Sequence, residues 1–532
     1  MIQRKTQSSS YWDENFSVED SDLEYLNNLL LEDETPLTTD ELVSALIRNR
    51  IAREQRAIEM QLTRGSAAYL PKETYTVGQT LSFPQIDFAT GSVTAVRAGQ
   101  NPDVGSFDVI TVDFGEKGTR EFAARLASHK LNANEGKLGD ADAVAQTPEH
   151  ILEHHGEAIA AKLAATLKVK GDIVPIAGRW FSHALLADIN EGHLNLAEAA
   201  LDMAGGGPLG TRDLLTHLDL PATINDQLKI FSLDYALQED ERFDEVGPAG
   251  QVLWYLHRLE PQEVLNTPPT LKVEVADETI KLTAELRKLE TDIDDEFGSP
   301  HEHGDVPGSA ADGEVTLYLT FPHRRAGTLP LSEKVKRIFP TAYESPRVRF
   351  TLVDEHSGEK HPGWVVREGR YVYGLEEWFK KYEMPVGGTI TVKRGDAPEE
   401  VVIKIARRKL AREWLRTAAI ADGKISFAMQ KRPIMTDYDE LMIVSLDNFT
   451  VFDEAWKKME RQPFAKIVAD VFRELAKLTT QSAVHARSLY SAVNVIRRAP
   501  PAPIFYELIS RPYFVHVGDA YWRFDESKYS DQ

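Results

Sequence analysis

No cysteine occurs anywhere in the chain's 532 residues, which excludes disulfides, thiolate metal sites and cysteine nucleophiles. No apolar run approaches ~18 residues, so no segment is expected to span a membrane. The first residues, MIQRKTQSSSYWDENF, lack the apolar stretch of a secretory signal, and a cytoplasmic location is the expectation. Basic charge is scarce: 61 Lys and Arg stand against 83 Asp and Glu, a formal net charge of −22. A surface this acidic argues against bulk binding to phosphate backbones, and it leaves room for local basic patches or for docking on basic proteins. Catalytic signatures are missing as well. There is no P-loop and no G-x-S-x-G elbow, and an acid–lysine pair such as Glu278 and Lys281 has no spacing that singles out a nuclease. A non-enzymatic protein without cofactor or resident metal is expected.

What is present suffices for several soluble domains at roughly 100–200 residues each, since 42% of the chain is hydrophobic and 27% charged. Residues 1–20 are polar and read as a disordered tail, followed by an N-terminal helical unit over 21–70. There Leu37, Leu42, Leu46 and Ile47 form an apolar stripe, with Thr39 as N-cap. Short β-branched and aromatic runs separated by Gly, Pro and Asn predict a small antiparallel barrel over 71–133, a spacer or a site for RNA, DNA or peptide. A helical domain is expected over 147–262, a strand–helix connector over 270–292 and an acidic linker over 293–313. A larger β-barrel (314–405), a basic helix with further strands (406–461) and a last helical unit ending in a hairpin (462–532) complete the expected α+β, multi-domain chain.

Three segments share a frame. Pro36-Leu37-Thr38-Thr39-Asp40-Glu41-Leu42 lies under Pro208-Leu209-Gly210-Thr211-Arg212-Asp213-Leu214, and Val484-His485-Ala486-Arg487-Ser488-Leu489 fits with Arg487 under Arg212. Downstream, Arg242-Phe243-Asp244-Glu245-Val246-Gly247 parallels Tyr513-Phe514-Val515-His516-Val517-Gly518, each followed by a Trp-containing strand. An aromatic strand of this kind covers the groove left by three short helices, so Trp254 and Trp522 are expected in the core, with Gly247 and Gly518 near the turns. On these residues the unit resembles the HARE-HTH winged-helix family, found in the RNA polymerase delta subunit and in some chromatin and restriction-system proteins. Copies at 194–258 and 464–525 carry the resemblance, and the N-terminal copy shows its first two helices. The resemblance implies association with nucleic acid or polymerase, not chemistry.

A second resemblance covers 327–405. GTLPLSEKVKRIFP, RVRFTLVDEHSGEKHPGWVV, GRYVYGLEEWFKKYEMPVGGTITVKRGD and VVIKI look like a B3-type DNA-binding pseudobarrel, closest from Tyr371 through Trp378, Phe379 and Pro385-Val386-Gly387 to Val392. The chain departs from that family in having Gly387-Gly388 where Gly-Asp is usual. The resemblance implies two basic arms in the major groove, which fall near His323, Arg324 and Arg325 and near Arg367 and Arg370, since Arg pairs with guanine edges or phosphate. The stretch 380–416, which includes Lys393 and Arg394, carries ten Lys or Arg against five Asp or Glu. Read as a helix, its end sets Arg408, Arg412 and Arg416 at i, i+4 and i+8 on one face, able to lie along phosphates or to neutralise acidic segments of the same chain.

Other motifs weigh less. His150-Ile151-Leu152-Glu153-His154 matches H-x-x-E-H, and His150 and His154 could hold zinc in a metal hydrolase, but no third ligand or scaffold is evident and helix-surface histidines are the plainer reading. Gly205 to Gly210 matches G-x-G-x-x-G but follows a helix and contains Pro208, so a turn is expected. His301-Glu302-His303-Gly304-Asp305 reads as linker. The leading expectation is therefore a DNA-associated protein linked to transcription. The alternative is an acidic scaffold that docks on RNA polymerase or another complex without touching nucleic acid.

Overall fold

The computed structural model describes residues 5–8, 10–63, 67–83, 86, 89–101, 105–133, 147–273, 280–298, 313–421, 424–446, 449–459 and 462–529. The fold is mixed α+β and forms two compact units, residues 1–188 with 223–231 and residues 189–222 with 232–532. The His301–Asp305 motif and Glu278 lie outside the described residues.

In the first unit, α1 (Asp20–Asp33) and the two-residue strand β1 (Leu37–Thr38) lead into α2 (Thr39–Thr63). The expected disordered tail is instead ordered over most of its length. Trp12 and Phe16 are buried, and Arg50 of α2 donates to Asp22 Oδ1 (2.8 Å), Tyr11 Oη (2.8 Å), Glu19 Oε1 (2.9 Å) and the Ser17 carbonyl (2.9 Å). Two aromatic anchors and one guanidinium outweigh a polar composition. The cap of α2 also shifts by one residue. Thr38 Oγ1 accepts from the Glu41 amide (3.2 Å) while Glu41 Oε2 accepts from the Thr38 amide (2.7 Å), a reciprocal capping box that leaves Thr39 free for another partner.

A curled five-stranded sheet follows, in the order β2 (Ala67–Ala68), β3 (Thr80–Phe83), β4 (Ala89–Ala98), β5 (Asp108–Asp113), β6 (Thr119–Ala124). Its ends meet where Arg125 and Leu126 amides donate to the Glu73 and Pro71 carbonyls at 2.9 and 2.8 Å. The helix α3 (Pro148–Lys170) and the hairpin β7 (Ile173–Ile176)–β8 (Arg179–Ser182) then return to β1, so that Leu37 faces Trp180 across the β1–β8 pair. The N-terminal pair of helices is thus completed by a third helix and a hairpin from beyond the inserted sheet.

The second unit opens with the same order of elements: α4 (Glu191–Met203), β9 (Leu209–Gly210), α5 (Thr211–Leu215), α6 (Asp226–Gln238, of which 226–231 fall in the first unit), β10 (Phe243–Glu245) and β11 (Leu253–Leu256). Leu209 faces Trp254. The core between the helices and the hairpin holds Ala197, Leu201, Leu214, Leu233, Phe243 and Trp254. The run Gly205–Gly207 is a turn with φ of 71°, 103° and 109°. A Cβ on Gly207 would lie 2.6 Å from the Trp254 carbonyl, so close passage beside β11 explains the glycines.

After α7 (Gln262–Leu265) and α8 (Ala284–Ile293) comes a curled, half-barrel sheet. It is formed by β12 (Glu314–Tyr318), α9 (Phe321–Ala326), β13 (Thr328–Pro330), β14 (Arg347–Asp354), β15 (Lys360–Val366), β16 (Tyr371–Tyr373), α10 (Glu376–Lys381), β17 (Thr389–Arg394) and β18 (Glu400–Ile405). The strand order is β12-β17-β18-β14-β15-β16-β13, and only the β14–β18 pair is parallel. Along β14 the burial alternates, with Val348, Phe350 and Leu352 pointing to the core, the period expected of a sheet with one inner face.

Next, β19 (Arg407–Ala421) and β20 (Lys424–Thr436) form a long antiparallel ribbon, edged by β21 (Ser445–Leu446) and followed by α11 (Phe449–Met459). The chain ends in a third set of the same elements: α12 (Phe464–Ala476), β22 (Ala483–His485), α13 (Ala486–Val493), α14 (Pro501–Ser510), β23 (Phe514–Gly518) and β24 (Tyr521–Phe524), with Val484 facing Trp522.

These three sets share a register but not a polar partner for the tryptophan. Trp180 Nε1 donates to Thr39 Oγ1 (3.0 Å), and Trp254 Nε1 to Thr211 Oγ1 (3.3 Å) and Asp234 Oδ1 (2.9 Å). In the C-terminal copy Ala486 takes the threonine's place, and the buried Trp522 Nε1 has no hydrogen-bond partner among the described residues. That copy is anchored differently. Arg498 donates to both oxygens of Asp295 (2.8 Å each), to Glu296 Oε1 (2.7 Å) and to Asn494 Oδ1 (3.0 Å), while Tyr490 Oη donates to Asp295 (2.5 Å). His323 of α9 bridges Glu296 (3.1 Å) and Thr328 (2.9 Å), which joins the half-barrel to the same buried network. Burial opposes a charge on Glu296, but Arg498 and His323 hold its carboxyl well below the usual range.

Candidate nucleic-acid interface

The stretch expected to be a basic helix over 406–416 is strand β19. Its composition, rich in Arg, Leu, Ala and Lys, favours a helix in isolation. Pairing with β20 over twelve registered positions, and burial of Ala418, Ile425 and Phe427 against the C-terminal core, override that preference. The correction changes which cations share a face. Strand neighbours at even spacing align, so Arg412, Trp414 and Arg416 lie on one face opposite Pro433, Lys431 and Met429. Arg408 falls in the irregular register between Arg407 and Ala411.

This face is solvent-exposed at its centre. Trp414 is 63% exposed, Leu410 65%, and Met429 and Met435 are also exposed. Arg412 and Lys431 project beside Trp414, and among the described residues neither has an ion-pair partner. The two strands carry eight Lys or Arg against the single acid Glu413. Beneath the ribbon lies a groove of about 350 Å³, lined by Met384, Leu410, Ile434, Met435, Leu446 and Phe449 among others. An indole flanked by two free cations can stack on a base while the cations meet phosphates.

The remaining cations singled out by sequence are engaged within the fold. Arg324 donates to the Met384 carbonyl (2.6 Å) and stacks over Phe379 and Phe449, and burial lowers its pKa. Arg325 pairs with Asp453 (3.1 Å), Arg367 donates to the Ser345 carbonyl (2.7 Å), and Arg370 donates to the Glu296 carbonyl (3.0 Å). Lys393 pairs with Glu355 (2.5 Å), and Arg394 donates to the Arg337 carbonyl (2.7 Å). Arg408 pairs with Glu413 (2.7 Å) and stacks on Tyr438, and the Tyr438 hydroxyl, with Arg408, holds Glu413 below the usual carboxylate range. Arg416 donates to the Glu440 carbonyl (2.6 Å), and burial lowers its pKa. Of the nine, Arg412 is the one with an exposed side chain free of a recorded partner among the described residues. Sequence reading missed Trp414 and Lys431, whose signal was the alternation Arg412-Glu413-Trp414-Leu415-Arg416, legible only if a strand is assumed.

The third helices of the repeated unit are not basic. α14 carries Glu507 and no Lys or Arg, with Ile504, Phe505 and Leu508 buried, and α6 carries Asp226 and Asp234 against Lys229. A second polar cluster fastens the central copy to the half-barrel: Arg347 lies 2.9 Å from Glu260 and pairs with Asp244, which His257 also meets at 2.9 Å. Burial, aided by the Asp244 charge, pushes the Glu260 carboxyl up to about 8, while His257, Glu260 and Arg347 hold Asp244 below its usual range against the effect of burial. The guanidinium occupies the place a metal cation would take between the two carboxyls. Comparison of the chain with protein-family models, with curated proteins and with solved structures gave no match.

Proposed function

We propose that this is a nucleic-acid-binding protein, with DNA as partner and a role tied to transcription, and that its contact surface is the exposed face of the β19–β20 ribbon. The observation that carries this reading is the exposed Trp414 beside Arg412 and Lys431, neither of which has an ion-pair partner among the described residues. In this reading the three repeated units are winged helices that serve as frame, because α6 and α14 lack the cations a groove-reading helix needs and α3 balances Lys162, Lys168 and Lys170 with Glu149, Glu153 and Glu157. The half-barrel, read as B3-like, positions the ribbon, and Arg324, Arg325, Arg367, Arg370 and Arg394 are engaged in internal contacts.

Binding of the full chain to duplex and single-stranded DNA across a salt series tests this. Each of Arg412→Glu and Lys431→Glu should lower the slope of log K against log salt by about 1, and Trp414→Ala should weaken binding by ~1–3 kcal/mol. Unchanged affinity and slope in the triple variant would remove the assignment.

A second reading is an acidic protein-docking scaffold, with RNA polymerase or another complex as partner and no direct contact with nucleic acid. The net charge of −22 and the groove beside Leu410 and Met435, lined by both apolar and polar side chains, favour it. No retention on DNA at moderate salt, together with nuclease-resistant capture of a defined partner that Leu410→Asp abolishes, would select it.

A further inference from the structure

We propose that the first two turns of α3 form a site for a divalent transition metal, with His150, Glu153 and His154 as ligands. The helix sets these three at i, i+3 and i+4, on one face, and one ligand atom from each lies within 4.8 Å of the other two. The two imidazole rings lie 4.0 Å apart between centroids. The backbone beneath them is fixed from its first residue, because Thr147 caps the helix and its hydroxyl accepts from the His150 amide at 3.2 Å.

The tautomer of His154 is set for ligation. Its Nδ1 lies 3.0 Å from the His150 carbonyl. A carbonyl only accepts, so Nδ1 carries the proton and Nε2 keeps its lone pair for a metal, the arrangement found where a backbone carbonyl orients a ligating histidine. Rival partners are turned elsewhere. Arg48 pairs with Glu149 (3.4 Å), and His155 pairs with Asp13 (2.6 Å). Glu153 has no recorded ion pair or hydrogen bond among the described residues. Over 148–157 the chain carries Glu149, Glu153 and Glu157 and no Lys or Arg, a local charge that offsets the positive end of the helix dipole.

Two imidazole nitrogens and one carboxylate oxygen suit a borderline cation such as Zn²⁺ or Co²⁺, and not the all-oxygen preference of Ca²⁺ or Mg²⁺. Three protein ligands leave a coordination position for water or an added ligand, the pattern of an open site and not of a closed structural one. The third ligand missing from the sequence reading of H-x-x-E-H is therefore Glu153 itself. The site is independent of the nucleic-acid reading.

The test is titration of the chelator-stripped full chain with Zn²⁺ in competition with a chromophoric chelator, and with Co²⁺ followed by its visible absorption. One equivalent should bind. His150→Ala and His154→Ala should each weaken it at least tenfold, Glu153→Gln should weaken it less and change the Co²⁺ spectrum, and His155→Ala should leave it unaltered. All three ligands are at the surface, so the variants can be checked for an unchanged circular dichroism spectrum. Undiminished binding by the His150→Ala/His154→Ala double variant, or no Zn²⁺ bound by the parent chain at micromolar concentration, would overturn the proposal.

Discussion

The central and C-terminal copies of the repeated unit are alike in element order and register and unlike in what fixes them. The central copy pins Trp254 with Thr211 and the buried Asp234. The C-terminal copy leaves the Trp522 indole nitrogen without a hydrogen-bond partner among the described residues and relies on apolar contact, with Phe472, Phe514 and Phe524 clustered in the same core and seven residues of α12 buried. Its polar anchor is displaced from the tryptophan to Arg498, which ties it to the loop after α8. One backbone arrangement is thus held by a local hydrogen-bonded pin in one place and by a large core plus a buried ion pair in another. The difference shows that the tryptophan's apolar area, not its N–H bond, is the common requirement of the unit.

The largest expected effect comes from breaking the C-terminal anchor. Arg498→Ala leaves Asp295 and Glu296 buried with no guanidinium, and should cost ~3–5 kcal/mol in chemical denaturation. Hydrogen exchange should show α13 and α14 losing protection while α4 and β11 keep theirs. Equal loss in both copies would mean that they do not differ in anchorage.

Next in size is a pH effect confined to the central copy. Burial raises the Asp234 carboxyl from its ordinary 3.8 to about 7, although hydrogen bonds from Thr211 and Trp254 favour the charged form. A carboxyl raised on folding stabilises fully below its unfolded value, and that contribution is lost as pH climbs through the folded one. The central copy should therefore lose roughly 1 kcal/mol between pH 6 and pH 8. Asp234→Asn, which keeps an acceptor for Trp254 and cannot ionise, should make that slope shallower, while the raised Glu245 and Glu260 carboxyls keep their share of it. A slope unchanged in the variant would place the titrating group elsewhere.

Smaller still, Thr211→Val should cost about 1 kcal/mol by removing a hydroxyl from the Trp254 nitrogen. The reciprocal change Ala486→Thr should gain up to ~1 kcal/mol by offering Trp522 the partner it lacks. A loss on Ala486→Thr would mean that the C-terminal core has no room for two more atoms and that its packing, not the missing bond, governs the position.

How far the sequence could be read depended on the range of the interactions. The shared frame of Leu37, Leu209 and Val484 was visible because helix starts and apolar spacing are local, and the structure sets each of these residues opposite a tryptophan. The completion of the N-terminal copy was not visible, because Trp180 is separated from β1 by a whole inserted sheet and only backbone pairing brings them together. The basic stretch was misassigned for a related reason: its side chains favour a helix, and the partner that makes it a strand was read separately. Most of the arginines chosen as DNA contacts satisfy carbonyls and carboxylates far along the chain, such as Arg325 with Asp453, which composition cannot foretell.

By itself the sequence determined the redox chemistry open to the chain, its acidity, the recurrence of one helical frame and the tryptophans that close it, since each follows from residue type or short spacing. Tertiary structure decided which cations remain free and which face Trp414 presents. Those are questions of where partners lie in space, and a partner's position is settled only when distant segments pack and satisfy one another's charges and hydrogen bonds.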